Sequence, residues 1–179
     1  KTTLPRLFFA PFVSSVRRVE PQWIDYNGHM NMAWYHHLMD LAFDEVLSAL
    51  DLGPETIETR GTTIFLAETH MTYRQELFAD MPTRATVQLI NYDGKRIHFW
   101  SELYHAAEGW LAARSENMAL HVSLETRKVT PFPPEIITNL QIMMAAHNAL
   151  PRPDGLGRIM TIPAARHTGK PGILSLIHI

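Results

Sequence analysis

The stretch from Met32 to Leu50 constrains the fold more than any other. Tyr35, Leu38, Met39, Ala42, Phe43, Val46, Ala49 and Leu50 recur at spacings of three and four, the period of an α-helix. Trp34 and Leu41 widen the apolar face until it takes in most of the circumference. A helix of that kind is buried by other elements and does not lie on a surface. Asn31 stands at its start as a good N-cap, and Gly53-Pro54 is expected to stop it.

The rest of the chain supplies a sheet to bury it. Phe12 to Glu20 reads as a strand that Pro21 ends. Thr62 to Glu76 has strand character, with Ile64, Leu66, Glu68, His70 and Thr72 on one parity. Ala85, Val87 and Leu89 alternate before an Asp93-Gly94 turn, and Ile97, Phe99 and Leu103 continue on the return strand. After Glu108-Gly109, Trp110 and Ala112 open another strand, whose far half is carried by Met118, Leu120, Val122 and Leu124. Short turns between consecutive strands predict an antiparallel meander. Pro133-Pro134-Glu135 opens a last helix with the stripe Ile136, Ile137, Leu140, Met143 and Met144, ended by Pro151. The order predicts an α+β chain in which an antiparallel sheet wraps a long central helix, with an extra C-terminal helix.

One domain over residues 1–171 is expected, with a core at about 12–132, the last helix at about 133–150 and an irregular tail. Lys1 is not a start residue, and Leu174-Ser175-Leu176-Ile177-His178-Ile179 resembles a translated sequencing adapter, so 172–179 are expected to be non-native. Leu7-Phe8-Phe9-Ala10 runs into Pro11, too short and broken for a signal peptide, and no apolar run is long enough to span a bilayer. The net charge of −2 gives no electrostatic case for a nucleic-acid or membrane-surface partner. The absence of cysteine excludes disulfides, a thiolate zinc site and a cysteine nucleophile, and it fits the cytoplasm.

Polar chemistry is concentrated just before the helix, in Asp25-Tyr26-Asn27-Gly28-His29-Met30-Asn31. A helix N-terminus offers unpaired N–H groups and the positive end of its dipole. Such N–H groups can hold a developing oxyanion, as acyl transfer requires. Gly28 lets the backbone approach a ligand, and Asp25 can serve as general base or nucleophile. The same residues also read as nothing more than a turn and a cap, since Asp, Asn and Gly are favoured there for local reasons.

Asp25-x-x-Gly28-His29-x-Asn31, followed by Tyr35 and a long apolar helix, resembles the 4-hydroxybenzoyl-CoA thioesterase-like branch of the hotdog superfamily. The resemblance runs from about Phe12 to Phe132. It implies an acyl-CoA thioester hydrolase that works as a homodimer or homotetramer with sites at subunit interfaces. It implies Asp25 as the catalytic carboxylate, Gly28 and His29 as the oxyanion-side turn, and Asn31 as the helix-start residue. The backbone from Gly28 to Met30 would hold the carbonyl oxygen. Tyr26, Met30, Tyr35 and Asn117 are the expected substrate contacts. No cofactor or metal is expected. The segment from Trp23 to Met30 is also similar to betainyl-CoA thioesterases, which makes a cage for a quaternary ammonium from Trp23, Tyr26, Trp34, Trp100 and Trp110 an expectation worth testing.

Other polar residues carry weaker signals. Adjacent His36 and His37 point to different sides of a helix, so they do not readily share an ion. Asp40, one turn from His36, is the back-up acid, beside a plain solvated-face reading that also covers Asp44 and Glu45. Ser115-Glu116-Asn117 interrupts an apolar strand, as a site or a bulge would. Lys95-Arg96 and Arg127-Lys128 could meet coenzyme A phosphates or simply end strands. No Gly-x-Ser-x-Gly elbow, P-loop or dinucleotide glycine motif occurs. Two rivals to hydrolysis remain: a dehydratase acting on hydroxyacyl thioesters, and a non-catalytic acyl-CoA-binding module.

Overall fold

The computed structural model describes residues 6–163. The expected non-native segment 172–179 lies outside them. Helix α1 spans Met32–Ala49 and buries Tyr35, Leu38, Met39, Ala42, Phe43, Val46 and Leu47. Asn31 caps it, its side chain accepting from the Ala33 N–H at 3.0 Å. At the other end Asp51, with φ at +61°, turns the chain before Gly53 is reached. Asp51 is held there by Arg6 at 2.6 Å, and the Arg6 hydrogen bond keeps its carboxyl below the usual carboxylate range, against the opposing effect of partial burial. Asn139 donates to the carbonyl of Leu50 at 2.9 Å.

Six strands form one antiparallel sheet: β1 (Phe12–Val13), β2 (Arg17–Arg18), β3 (Thr62–Tyr73), β4 (Pro82–Tyr92), β5 (Arg96–His105) and β6 (Leu111–Ser123). The order is β1-β4-β5-β6-β3, with β2 also on β4. The expected first strand is thus split in two. Ser14 causes the break: its hydroxyl accepts the Ala85 N–H at 2.9 Å, which takes over part of the backbone ladder. A short helix, α2 (Glu55–Arg60), precedes β3 and ends on Gly61, whose φ of +62° suits a left-handed cap. Its six residues carry too little periodicity to be read from sequence. Helix α3 spans Pro134–His147 and buries Ile136, Leu140 and Met143. Among the described residues no helix is long and apolar enough to cross a membrane.

The sheet curves around α1, as the resemblance implies. Phe43 stacks on Phe99 of β5 with ring centroids 3.9 Å apart, and Tyr35 meets Tyr73 of β3 edge-on at 5.4 Å. One parity in β6 runs opposite to expectation. Ser115, Asn117, Ala119 and His121 are the buried set, whereas Met118 and Leu120 are half-buried on the outer face. The inner face of β6 is small and polar, so hydrophobic alternation pointed to the wrong side. Residues after α3 form an irregular strap over that outer face. Gly157 donates to Glu116 at 2.6 Å, and Gly155 lies against Arg114 and Trp100.

Candidate active site

Ile24 and Met30 bridge as antiparallel partners, which makes the segment between them a small hairpin. Asp25 donates its N–H to the His29 carbonyl at 3.1 Å, and Gly28 donates to the Asp25 carbonyl at 3.0 Å. Gly28 takes a φ of +84°, the left-handed region that glycine enters without steric cost. Two further bonds fasten the hairpin to its surroundings: Met30 N–H to Leu77 at 2.7 Å and Asn31 N–H to Trp23 at 2.9 Å.

The carboxylate of Asp25 is half-buried and oriented from both sides. One oxygen accepts the Asn27 N–H at 2.8 Å. The other accepts from Asn31 Nδ2 at 3.3 Å. Asn31 therefore ties the acid to the first turn of α1. His29 sets its Nδ1 3.3 Å from the Met30 carbonyl and its Nε2 3.6 Å from Glu76. Asp25, Gly28, His29 and Asn31 thus come together in one element.

Within the expected oxyanion stretch, Gly28–Met30, the backbone N–H groups differ in what they already bond. The N–H groups of Gly28 and Met30 already serve Asp25 and Leu77. The His29 N–H has no acceptor among the described residues, and the same holds for Met32 at the start of α1. Both N–H groups are thus open to an acceptor near the positive end of the helix.

The expected substrate contacts separate. Tyr26 is 96% exposed at the hairpin tip. Met30 is only 1% exposed, so its side chain belongs to the core and not to a ligand surface. Tyr35 is also buried, and its hydroxyl is fully engaged: it donates to Gln75 at 3.2 Å and accepts the Leu77 N–H at 2.9 Å. Burial raises the pKa of this phenol, which keeps it a donor. Asn117 lies apart from the hairpin, on the inner face of β6 beside Ser115 and Thr69.

The five aromatics do not form a cage within the chain. Trp23 and Trp34 stack at 4.8 Å, with the unforeseen His37 edge-on to both. Trp100 lies under Gly155 on the outer face of the sheet and Trp110 stacks on His105, and neither ring packs on Trp23, Tyr26 or Trp34. Both basic pairs flank the Ser123 end of β6, where the Lys95 carbonyl meets His121 and the Lys128 carbonyl meets Ser123. Tyr73, Tyr35 and the hairpin lie at the Ala113 end, roughly 30 Å away by strand rise. Within one chain, then, these cations are not at the mouth of the site.

The model of the thioesterase-like superfamily matches residues 19–140. The chain belongs to that superfamily. A betainyl-CoA thioesterase of Pseudomonas aeruginosa is 34% identical over 148 residues, covering 83% of this chain and 93% of that protein. An L-carnitine dehydrogenase/betainyl-CoA thioesterase of Rhizobium meliloti is 34% identical over 141 residues, which cover 79% of this chain and 28% of the fused protein. A hypothetical protein of Staphylococcus aureus, solved in complex with CoA, superimposes with a TM-score of 0.79 at 26% identity, covering 89% of this chain and all of that one. The hotdog architecture and the thioesterase assignment that the resemblance implied both hold.

Proposed function

We propose that the hairpin Asp25–Asn31 is where this chain hydrolyses an acyl-CoA thioester, with Asp25 as the reacting carboxylate. The observation that carries the reading is the carboxylate held by Asn31 at the N-terminus of α1, beside the free N–H of His29. The thioester carbonyl oxygen accepts from that N–H, which stabilises the charge that develops as the carbon becomes tetrahedral. In one route Asp25 takes a proton from water while the hydroxide adds to the carbonyl. The tetrahedral adduct then collapses, the C–S bond breaks, and the thiolate of coenzyme A leaves and is protonated. In the other route Asp25 attacks directly, and water hydrolyses the resulting anhydride. Gly28 gives the backbone its turn, and His29 braces the hairpin against Glu76.

Betainyl-CoA is the ester to test first, because the curated relatives act on it and the match to one of them covers nearly its whole length. Asp25→Asn keeps the side-chain shape and the bond to Asn27. It is expected to lower thiol release by about 100-fold or more. Undiminished release would remove Asp25 from the mechanism.

The working unit is a homodimer or a higher homo-oligomer. Support comes from β3, a long edge strand whose middle is bare: Phe65 is 47% and Leu66 37% exposed. Light scattering on the eluting protein tests this. The cysteine-free composition supports a cytoplasmic location.

A further inference from the structure

Beyond α3 the chain crosses the outer face of the sheet one strand after another. Gln88 of β4 donates to the Pro151 carbonyl at 3.3 Å. Gly155 then lies against Trp100 of β5 and Arg114 of β6. Gly157 donates to one oxygen of Glu116 on β6, whose other oxygen lies 2.8 Å from Nε2 of His98. A turn ends this docked part, with the Arg158 N–H on the Gly155 carbonyl at 3.3 Å. The next stretch, Arg158-Ile159-Met160-Thr161-Ile162, leaves the surface: Ile159 is 80%, Met160 79% and Ile162 96% exposed. Three large apolar side chains within five residues, all in water, mark a contact segment.

A matching surface lies at the next strand, the β3 edge. Phe65 pairs in register with Leu120 and Glu68 with Met118, and the bulge between Leu66 and Glu68 keeps both pairs on the outer face. Phe65 is exposed there, and Met118 and Leu120 are half-buried. Glu68 and Arg158 are both exposed, and neither has an ion-pair partner among the described residues. The arm is thus apolar with one positive charge, and the patch is apolar with one negative charge. The exposure of Ile159 and Ile162 shows that the arm does not fold back onto the patch of its own chain. A second copy paired antiparallel along the bare middle of β3 continues the sheet, and two-fold symmetry sets both outer faces on one side. Such pairing uses the backbone of β3 and leaves the side chains of Phe65 and Glu68 open. The second copy's β3 then lies two strand spacings from β6, about 10 Å. Ile162 stands five residues past Gly157, a reach of up to about 16 Å.

We propose that Arg158–Ile162 is an exchanged arm that docks on the outer face of a second copy of this chain. Ile159, Met160 and Ile162 cover the second copy's patch of Phe65, Met118 and Leu120, and Arg158 meets its Glu68. The proposal rests on the homo-oligomer reading of the β3 edge and adds a second contact, made by side chains where the edge contributes backbone. Arm and patch are present on both copies, so one two-fold axis makes the contact twice. The turn at Gly155–Arg158 and the bond from Gly157 to Glu116 fix where each arm starts.

The chain has no cysteine, so introduced thiols report a single contact. Full-length Phe65→Cys carrying a size tag is co-expressed with untagged Ile162→Cys, and the pair is oxidised. A disulfide joining the tagged to the untagged chain is expected, well above the yield from either variant alone. A disulfide that forms only when both substitutions sit on one chain overturns the proposal, and so does the absence of any disulfide. Light scattering over a dilution series supplies the second measurement. The double substitution Ile159→Ser and Ile162→Ser changes only exposed side chains and is expected to raise the dimer dissociation constant by about tenfold or more. A constant equal to that of wild type overturns the arm while leaving the β3 edge in place. A wild type that stays monomeric at every concentration overturns the homo-oligomer reading itself.

Discussion

Asn31 bonds in two directions: its Oδ1 caps α1 through the Ala33 N–H at 3.0 Å, and its Nδ2 holds Asp25 Oδ2 at 3.3 Å. Folding stability and the position of the candidate catalytic acid therefore depend on one side chain. Asn31→Ala removes both bonds and is expected to cost about 1 kcal/mol of stability together with a drop in kcat. Asn31→Asp keeps an oxygen for the cap but sets a second carboxylate against Asp25. Its melting temperature should stay close to wild type while thiol release falls. Thermal melts and the thiol assay on the two variants separate the two roles. Equal losses of both properties in both variants would show that the Asp25 bond does nothing of its own.

Gly28 gives a second handle on the hairpin. Its φ of +84° is reached without crowding, since a Cβ built there meets nothing within 4 Å. The expected cost of Gly28→Ala is therefore backbone strain alone, about 1–2 kcal/mol. Asn tolerates this region better than Ala does, so Gly28→Asn should be the milder variant. Melting temperatures in the order Gly, Asn, Ala check the point. If both variants melt like wild type, the turn is not held in that conformation.

The sequence made α1 readable because its apolar residues keep helical spacing and Asn31 marks the start. The meander was readable from Asp93-Gly94 and Glu108-Gly109. Asp25, Gly28, His29 and Asn31 are consecutive enough that one hairpin must gather them. What could not be read were relationships made across the fold. Leu77 takes the Met30 N–H, and this needs a segment nearly fifty residues away. Hydrophobicity does not mark the inner face of β6, because Met118 and Leu120 of the outer face outweigh Ser115, Asn117 and Ala119. Ser101, inside the apolar run Ile97 to Leu103, was the available sign that this inner face is polar.

Tyr35 links the helix to the segment that anchors the hairpin. Its hydroxyl accepts the N–H of Leu77, a residue with 0% exposure whose carbonyl in turn takes the Met30 N–H. Tyr35→Phe leaves that N–H buried without a partner, an expected loss of about 1–3 kcal/mol. Because the phenol does not reach the carboxylate of Asp25, the variant should lose far less activity than Asp25→Asn at a temperature where both are folded. Denaturant unfolding gives the first quantity and the thiol assay the second. A Tyr35→Phe variant as inactive as Asp25→Asn would bring the phenol into the chemistry.

His147 predicts how stability changes with pH. It is buried at the end of α3, where Nδ1 accepts the Leu89 N–H at 2.8 Å and Nε2 faces the Phe9 carbonyl at 2.8 Å. An Nδ1 that accepts cannot also carry a proton, and burial pushes the imidazole pKa below its ordinary value. The unfolded chain therefore binds a proton that the folded chain refuses in the window between the lowered value and about 6.5. Stability should be fully present above that window and fall as the pH drops through it. His147→Asn, whose amide does not titrate, should be less stable than wild type near neutral pH yet lose less on acidification to about pH 5.5. Melts of both proteins across that range check the difference, and parallel curves would mean that His147 takes up its proton without cost to the fold.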